Sequence, residues 1–215
     1  GLIQTFEAAQ QQQPGRWSLP VGMRSLVGGS ALPEALIRAF ARHGITLGQG
    51  WGMTETSPLA TVSYPRAEWQ HAGDDEGFRR AAMAGTPVPL VDIRIRTDDG
   101  NEALHDGQSP GEVQVRGPFI TGSYHQVPVS SDKFTADADG SVWLRTGDVA
   151  TMDDLACLRI TDRTKDLIKS GGEWISSVDL ENALMAHPAI AEAAVIAIPD
   201  AKWIERPLAC IVLKP

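Results

Sequence analysis

The stretch Gly48–Pro58, GQGWGMTETSP, decides how the chain is to be read. Glycines at 48, 50 and 52 let a backbone come close to another group and open the positive-φ region. Trp51 offers a flat face for a purine, Thr54 a hydroxyl for a phosphate oxygen, and Glu55 a hard oxygen ligand for Mg2+. The competing reading is a solvated turn around a core tryptophan. Neither a GxxxxGK[ST] loop nor a GxGxxG fingerprint occurs here, so the stretch alone does not choose between them.

Its flanks supply a framework. SLVGGSALP (25–33) reads as a short strand entering a glycine turn, and PEALIRAFARHG (33–44) as a helix. Pro33 opens that helix, Leu36, Ile37 and Phe40 share a face, and Gly44 stands past the last turn. ITLGQG (45–50) is a second short strand running into the glycine loop. Strand, helix, strand and loop predict a parallel α/β unit over residues 20–63. Upstream, AAQQQQPGRWSLP (8–20) reads as a frayed helix end or a loop.

From Gly85 the pattern changes to period two. VDIRIRT (91–97) places Val91, Ile93 and Ile95 on one face and Asp92, Arg94 and Arg96 on the other. DDGN is a turn, and GEVQVRG (111–117) alternates again, which predicts a β-rich subdomain. After DRTKD (162–166), LIKSGGEWIS (167–176) reads as two strand ends around a Gly171–Gly172 turn. Ser176 and Asp179 have capping-box spacing before a helix that Pro188 stops. EAAVIAIP and LACIVLKP are apolar enough to predict buried strands. Residues 67–85 fit either a helical excursion or a mobile loop.

Composition removes several classes of function. The 215 residues carry a net charge of −8, which argues against a nucleic-acid partner. Cys157 and Cys210 form no CxxC and no Cys/His ligand spacing, which suggests a reducing, cytoplasmic setting without a zinc site. The five histidines are scattered, and no apolar run approaches transmembrane length. Two further motifs are weak alone. In RTGD (145–148), Asp148 reads first as a turn residue, although its carboxylate suits the vicinal hydroxyls of a ribose. The charges of DRTKD read first as a solvated linker.

In order, VGGSALP, GWGMTETSP, GEVQVRGPFITGSY, RTGD and DRTKDLIKSGGEWISSVDLE resemble the successive motifs of the adenylate-forming (AMP-binding) superfamily. That superfamily holds acyl-CoA synthetases, luciferases and peptide-synthetase adenylation domains. The resemblance runs from about residue 24 to 215, and GWGMTETSP with IKSGGEWISS looks most like medium- to long-chain fatty acyl-CoA ligases.

The resemblance implies a fold: α/β followed by a β-rich subdomain and a small, truncated α+β C-terminal domain. Its expected boundaries are 1–80, 81–161, a hinge at 162–166, and 167–215. It also implies roles. Gly28, Gly29 and Ser30 would border adenine, and Gly50, Trp51, Gly52 and Met53 would line the adenylate, with Trp51 stacked on the base. Thr54 would bond the α-phosphate or the acyl carbonyl, and Glu55 would hold Mg2+. Asp148 would clasp the ribose hydroxyls and Arg163 would reach the same sugar. Lys165 would be the hinge. Lys169, Gly171, Gly172, Glu173 and Trp174 would face the nucleotide in one state and the CoA channel in the other.

The partners implied are therefore ATP/AMP, Mg2+, CoA and a fatty acid; peripheral membrane contact of the full enzyme is compatible with this, and oligomeric state is left open. The family's upstream Ser/Thr- and Gly-rich phosphate loop and its C-terminal catalytic lysine are absent. Both ends read as cut, which predicts a C-terminal portion unable to adenylate by itself. The alternatives are an aryl-CoA ligase, a peptide-synthetase adenylation domain, or a non-catalytic nucleotide-binding module.

Overall fold

The structure, a computed structural model, describes residues 2–64, 74–128, 130 and 132–214; of Asp74 and Glu173 it describes the backbone only. By internal contact the chain divides into two compact units. The first comprises 1–92, 117–121 and 154–159, and the second 93–116, 122–153 and 160–215.

The first unit begins with α1 (Leu2–Gln12), followed by β1 (Arg24–Val27), α2 (Glu34–Ala41) and β2 (Thr46–Trp51). β1 and β2 run parallel, with Leu26 opposite Gly48 and Val27 opposite Gln49. The expected strand–helix–strand unit is therefore present. Leu32, Ile37, Ile45 and Leu47 form its core, with Phe40, Phe78 and Val27 packed against them. Leu36 departs from expectation: it is exposed, because the packed stripe of α2 runs through Ile37 and Phe40. Antiparallel β3 (Thr61–Val62) and β4 (Thr86–Pro87) complete a four-stranded sheet in the order β1-β2-β3-β4. Within 67–85, residues 74–81 form a helix, α3 (Asp74–Ala81), and Ser63 Oγ donates to Ala81 O at 2.8 Å; residues 67–73 lie outside the described residues.

In the second unit, β5 (Asp92–Arg96), β6 (Gly111–Arg116), β7 (Phe134–Ala136), β8 (Val142–Met152) and β9 (Leu158–Arg163) form one sheet. Its order is β5-β6-β8-β7, with β9 also on β8. Ile95, Val113, Val115 and Leu144 are its buried core. A separate sheet, β11-β10-β13-β12, comprises β10 (Ile168–Ser170), β11 (Glu173–Ile175), β12 (Ile190–Asp200) and β13 (Ile204–Leu213), with α4 (Ser177–Met185) against β12. The predicted cap of α4 is made: Ser176 Oγ accepts from Asp179 N at 3.0 Å.

Two expectations about burial fail here. Arg94, placed on the polar face of β5, is buried. Its guanidinium donates to Gln114 Oε1 at 2.9 Å and to Asp137 Oδ2 at 2.7 Å, and lies 4.2 Å from the centre of the Trp143 ring. A charge tolerates burial when every donor finds a partner, and here an aromatic face is added. The strands β12 and β13, expected to be buried, are largely exposed: Ile196, Leu208 and Val212 stand at 52%, 42% and 54%. Hydrogen bonding fixes their register over ten residue pairs, but the described residues cover Val195 and leave the face of Ile196 and Leu208 open.

The Arg94 hydrogen bond, foremost, together with that from Trp143 Nε1, holds the Asp137 carboxyl below its ordinary pKa against partial desolvation. A lowered carboxyl stabilises the fold above its unfolded-state pKa and loses that contribution as pH falls through its folded-state value. Wild-type protein should therefore lose denaturation midpoint between about pH 5 and about pH 2 more steeply than Asp137→Asn does. Parallel acid limbs for the two proteins would show that the pair contributes nothing.

Candidate functional site

The opening stretch does not form a loop along its whole length. Gly48 to Trp51 belong to β2, and Trp51 is 9% exposed, packed at the strand end with its backbone opposite Thr61. Nor are the three glycines there for positive φ, which none of them adopts. They are there because the chain passes itself too closely for a side chain. A Cβ on Gly48 would lie 2.5 Å from Ser63 O, one on Gly50 2.8 Å from Leu59 Cδ1, and one on Gly52 2.1 Å from Pro58 O.

Beyond the strand, Thr54–Thr56 form a short 3-10 turn. Thr56, which the sequence reading passed over, closes it. Its hydroxyl accepts from Met53 N and donates to Met53 O, each at 2.9 Å, and the residue is fully buried. Thr54 is exposed and Glu55 half-buried, so the turn presents the two residues expected to carry chemistry. The backbone carbonyl of Glu55 accepts from Thr121 N at 2.9 Å, which anchors the turn.

Gly28, Gly29 and Ser30 follow β1 and are exposed, with Gly29 at φ +87. Gln49, also unremarked in the sequence, holds them beside β2. Its buried side-chain carbonyl accepts from Leu32 N at 3.0 Å, while its backbone N–H donates to Ser63 Oγ at 2.8 Å. Thus 28–30 and 50–55 sit on neighbouring ends of two paired strands.

In the second unit, RTGD is not a turn between elements. It lies inside β8, where Glu112 faces Val149 and Gln114 faces Arg145, so that Val113 alone spans Thr146–Asp148. This is a bulge, with Gly147 at φ +75, and bulges re-aim side chains. Thr146 Oγ1 donates to Val113 O at 2.8 Å and accepts from Asp148 N at 3.1 Å. The Asp148 side chain is 14% exposed, and its Oδ1 stands 3.3 Å from Arg163 Nε. Thr164 N donates to Gly147 O at 2.8 Å, which ties the chain after Arg163 to the bulge. The two residues expected on one ribose are therefore together.

DRTKD is only partly the solvated linker of the weaker reading. Asp162 is buried and accepts from Ser177 N at 2.7 Å and Ser177 Oγ at 2.9 Å, fastening the start of α4. Arg163 to Asp166 are exposed, and Lys165 occupies the turn between β9 and β10. Gly171 and Gly172 have φ +61 and +89, the backbone a two-residue hairpin turn demands. Lys169 pairs with Trp174 across that hairpin, Nζ 4.5 Å from the ring centre. Glu173 contributes its backbone to β11. An open cavity of about 610 Å³ in this unit is lined by Trp174, Thr164, Arg94 and Arg145, but not by Asp148 or Arg163.

Comparison with known proteins identifies the family. The AMP-binding enzyme family matches residues 3–125, and the AMP-binding enzyme C-terminal domain matches 179–215. The chain belongs to the AMP-binding enzyme family. It is 48% identical over 192 residues to the long-chain-fatty-acid–CoA ligase of Thermus thermophilus, a match covering 88% of this chain and 34% of the relative. It is 43% identical to the 3-methylmercaptopropionyl-CoA ligase of Ruegeria pomeroyi, covering 86% of this chain and 33% of that one. The o-succinylbenzoate CoA synthetase of Bacillus subtilis, solved with its acyl-adenylate intermediate, superposes with a TM-score of 0.75 at 31% identity, over 99% of this chain and 40% of that one. The chain spans about a third of the length of its curated relatives.

Because Gly52 is bounded by backbone atoms that cannot yield, Gly52→Ala should destabilise the protein by about 2 kcal/mol or more. Gly122→Ala, whose Cβ meets nothing within 4 Å, should stay within about 1 kcal/mol of wild type. Denaturant midpoints decide, and equal behaviour of the two variants would refute the packing account.

Proposed function

We propose that the protein containing this chain is an AMP-forming fatty-acid–CoA ligase that activates a medium- or long-chain acid with ATP and passes the acyl group to CoA. The observation that carries this reading is the pairing of Asp148, on the bulge of β8, with Arg163, at the end of β9, in a member of the AMP-binding enzyme family. The acid class follows the 48% identity to the Thermus ligase.

A carboxylate at neutral pH is a poor electrophile. Attack of its oxygen on the α-phosphorus of ATP forms a mixed anhydride and releases pyrophosphate. The CoA thiol then adds to the acyl carbon and AMP leaves with the bridging electron pair. Catalysis of the first step is mostly placement and charge neutralisation. In this proposal Asp148 accepts from the ribose hydroxyls and Arg163 donates to the same sugar. Gly28–Ser30 border the adenine, and the backbone of Gly50–Met53 lines the adenylate. Thr54 donates to the α-phosphate or the acyl carbonyl. Trp51, 9% exposed at the end of β2, would stack on the base.

The donor set suits Mg2+ of the kind held largely by a nucleotide. Among the described residues no group of three or more His, Cys, Asp or Glu could hold a metal by itself. Mg2+ in nucleotide sites commonly takes only one or two carboxylates beside the phosphates and water. Glu55, half-buried on the 3-10 turn, supplies one carboxylate. The ion would neutralise phosphate charge when bound.

Lys165, exposed in the turn between β9 and β10, is the proposed hinge, and Lys169–Trp174 the segment it swings between the two half-reactions. A second reading, a CoA ligase for a shorter, sulfur-bearing acid, draws on the 43% identity to the Ruegeria relative. An acid panel assayed on the full-length protein separates the two.

A hydrogen bond to a charged group is worth about 1.5–3 kcal/mol, so Asp148→Ala should lower kcat/KM for ATP by about one to two orders of magnitude. A change below about threefold removes Asp148 from the nucleotide. Lys165→Pro fixes φ near about −65° and should abolish one half-reaction selectively. Pyrophosphate exchange set against thioester formation reads this out, and equal loss of both would point to misfolding.

A further inference from the structure

The Gly171–Gly172 turn is held by a second turn. Gly171 N donates to Trp203 O at 2.9 Å, Ser170 pairs with Ile204, and Lys169 N donates to Glu205 Oε2 at 2.8 Å. The Trp203 ring lies on the glycine itself. A Cβ at Gly171 would meet Trp203 Cε3 at 2.7 Å and Cζ3 at 3.0 Å, both atoms of the six-membered ring. The ring occupies the space that any other residue at 171 would need, and φ +61 already disfavours a side chain there.

Three features hold the indole in place. Asp200 Oδ1 accepts from both Lys202 N and Trp203 N at 2.8 Å, closing the turn beneath it. Lys202 Nζ stands 4.5 Å from the ring centre and Arg206 Cζ 6.0 Å from it. Ile204, a β-branched residue, adopts φ +74, a conformation such residues avoid. Backbone strain of this kind persists only where the surroundings over-determine it, and it gathers at sites where position matters. The strained residue lies between the residue that covers Gly171 and the one that binds Lys169.

We propose that Trp203 is a positioning residue for the thioester-forming half-reaction: its ring sets the Gly171–Gly172 turn, and through it the Lys169–Trp174 segment, against CoA. The proposal rests on the ligase reading above. It makes an asymmetric demand, because acyl-adenylate formation does not require CoA, whereas thioester formation does.

The test uses the full-length protein, with Trp203→Ala and Trp203→Phe compared in both half-reactions, and with hydrogen exchange at the Gly171 and Gly172 amides. Trp203→Ala should raise the KM for CoA by about tenfold while acid-dependent ATP–pyrophosphate exchange stays within about twofold. The amides at 171 and 172 should exchange about tenfold faster, since the turn loses its cover. Trp203→Phe, which keeps a six-membered ring over the glycine, should restore both quantities to within about threefold of wild type. An unchanged KM for CoA, unchanged amide exchange, or equal damage to both half-reactions in Trp203→Ala overturns the proposal. Absence of acid-dependent exchange in the wild-type protein is a different result: it removes the ligase reading itself.

Discussion

Of the places in this protein that leave no room for a Cβ, two have residues of the candidate site arranged around them. At Gly52 the chain leaving β2 passes so close to Pro58 and Leu59 that only glycine fits, and this contact folds Thr54–Thr56 back into a tight turn. At Gly171 the obstacle is the Trp203 ring, and the effect is to fix a hairpin whose register places Lys169 opposite Trp174. In both cases repulsion does the specifying. A hydrogen bond tolerates some play in distance and angle, whereas atoms already in contact tolerate very little.

The bulge in β8 does a related job by another route. Regular pairing would keep residues 146, 147 and 148 alternating across the sheet. With three residues opposite Val113, the side chain of Asp148 escapes that alternation while Thr146 replaces the missing ladder bonds. Asp148 is then nearly covered and beside Arg163, while Arg163 itself remains 63% exposed. Such a pair adds little to stability, since solvent screens the guanidinium. Its value lies in the orientation of the carboxylate.

Buried charge elsewhere serves architecture. Arg94 connects β5 to Gln114 on β6, to Asp137 just past β7 and to the Trp143 ring on β8, and Asp162 fastens α4 to β9. Neither position was legible in sequence. Alternation placed Arg94 outward because period two reports which face a residue is on, not what covers that face. Asp162 lay within a charged run of the kind that is usually solvated. The reverse error occurred at β12 and β13, where apolar continuity implied burial. Such continuity shows that a strand can be covered, but its cover comes from residues distant in sequence.

The sequence by itself determined the order β1, α2, β2, the Gly171–Gly172 turn and the Ser176 cap, because each is written in residues close together in the chain, and the family, because several such local motifs follow one another in order. It also singled out Asp148 and Arg163, through the resemblance of the ordered motifs to that family. Only the tertiary structure decided that Trp51 ends a buried strand, that RTGD sits on a bulge within one, that Gln49 and Thr56 hold the first set of loops, and that Trp203 rests on Gly171. The physical reason is common to all four: each depends on the excluded volume or hydrogen-bonding group of a residue that the local pattern does not name. In the last case that residue lies 32 positions further along the chain.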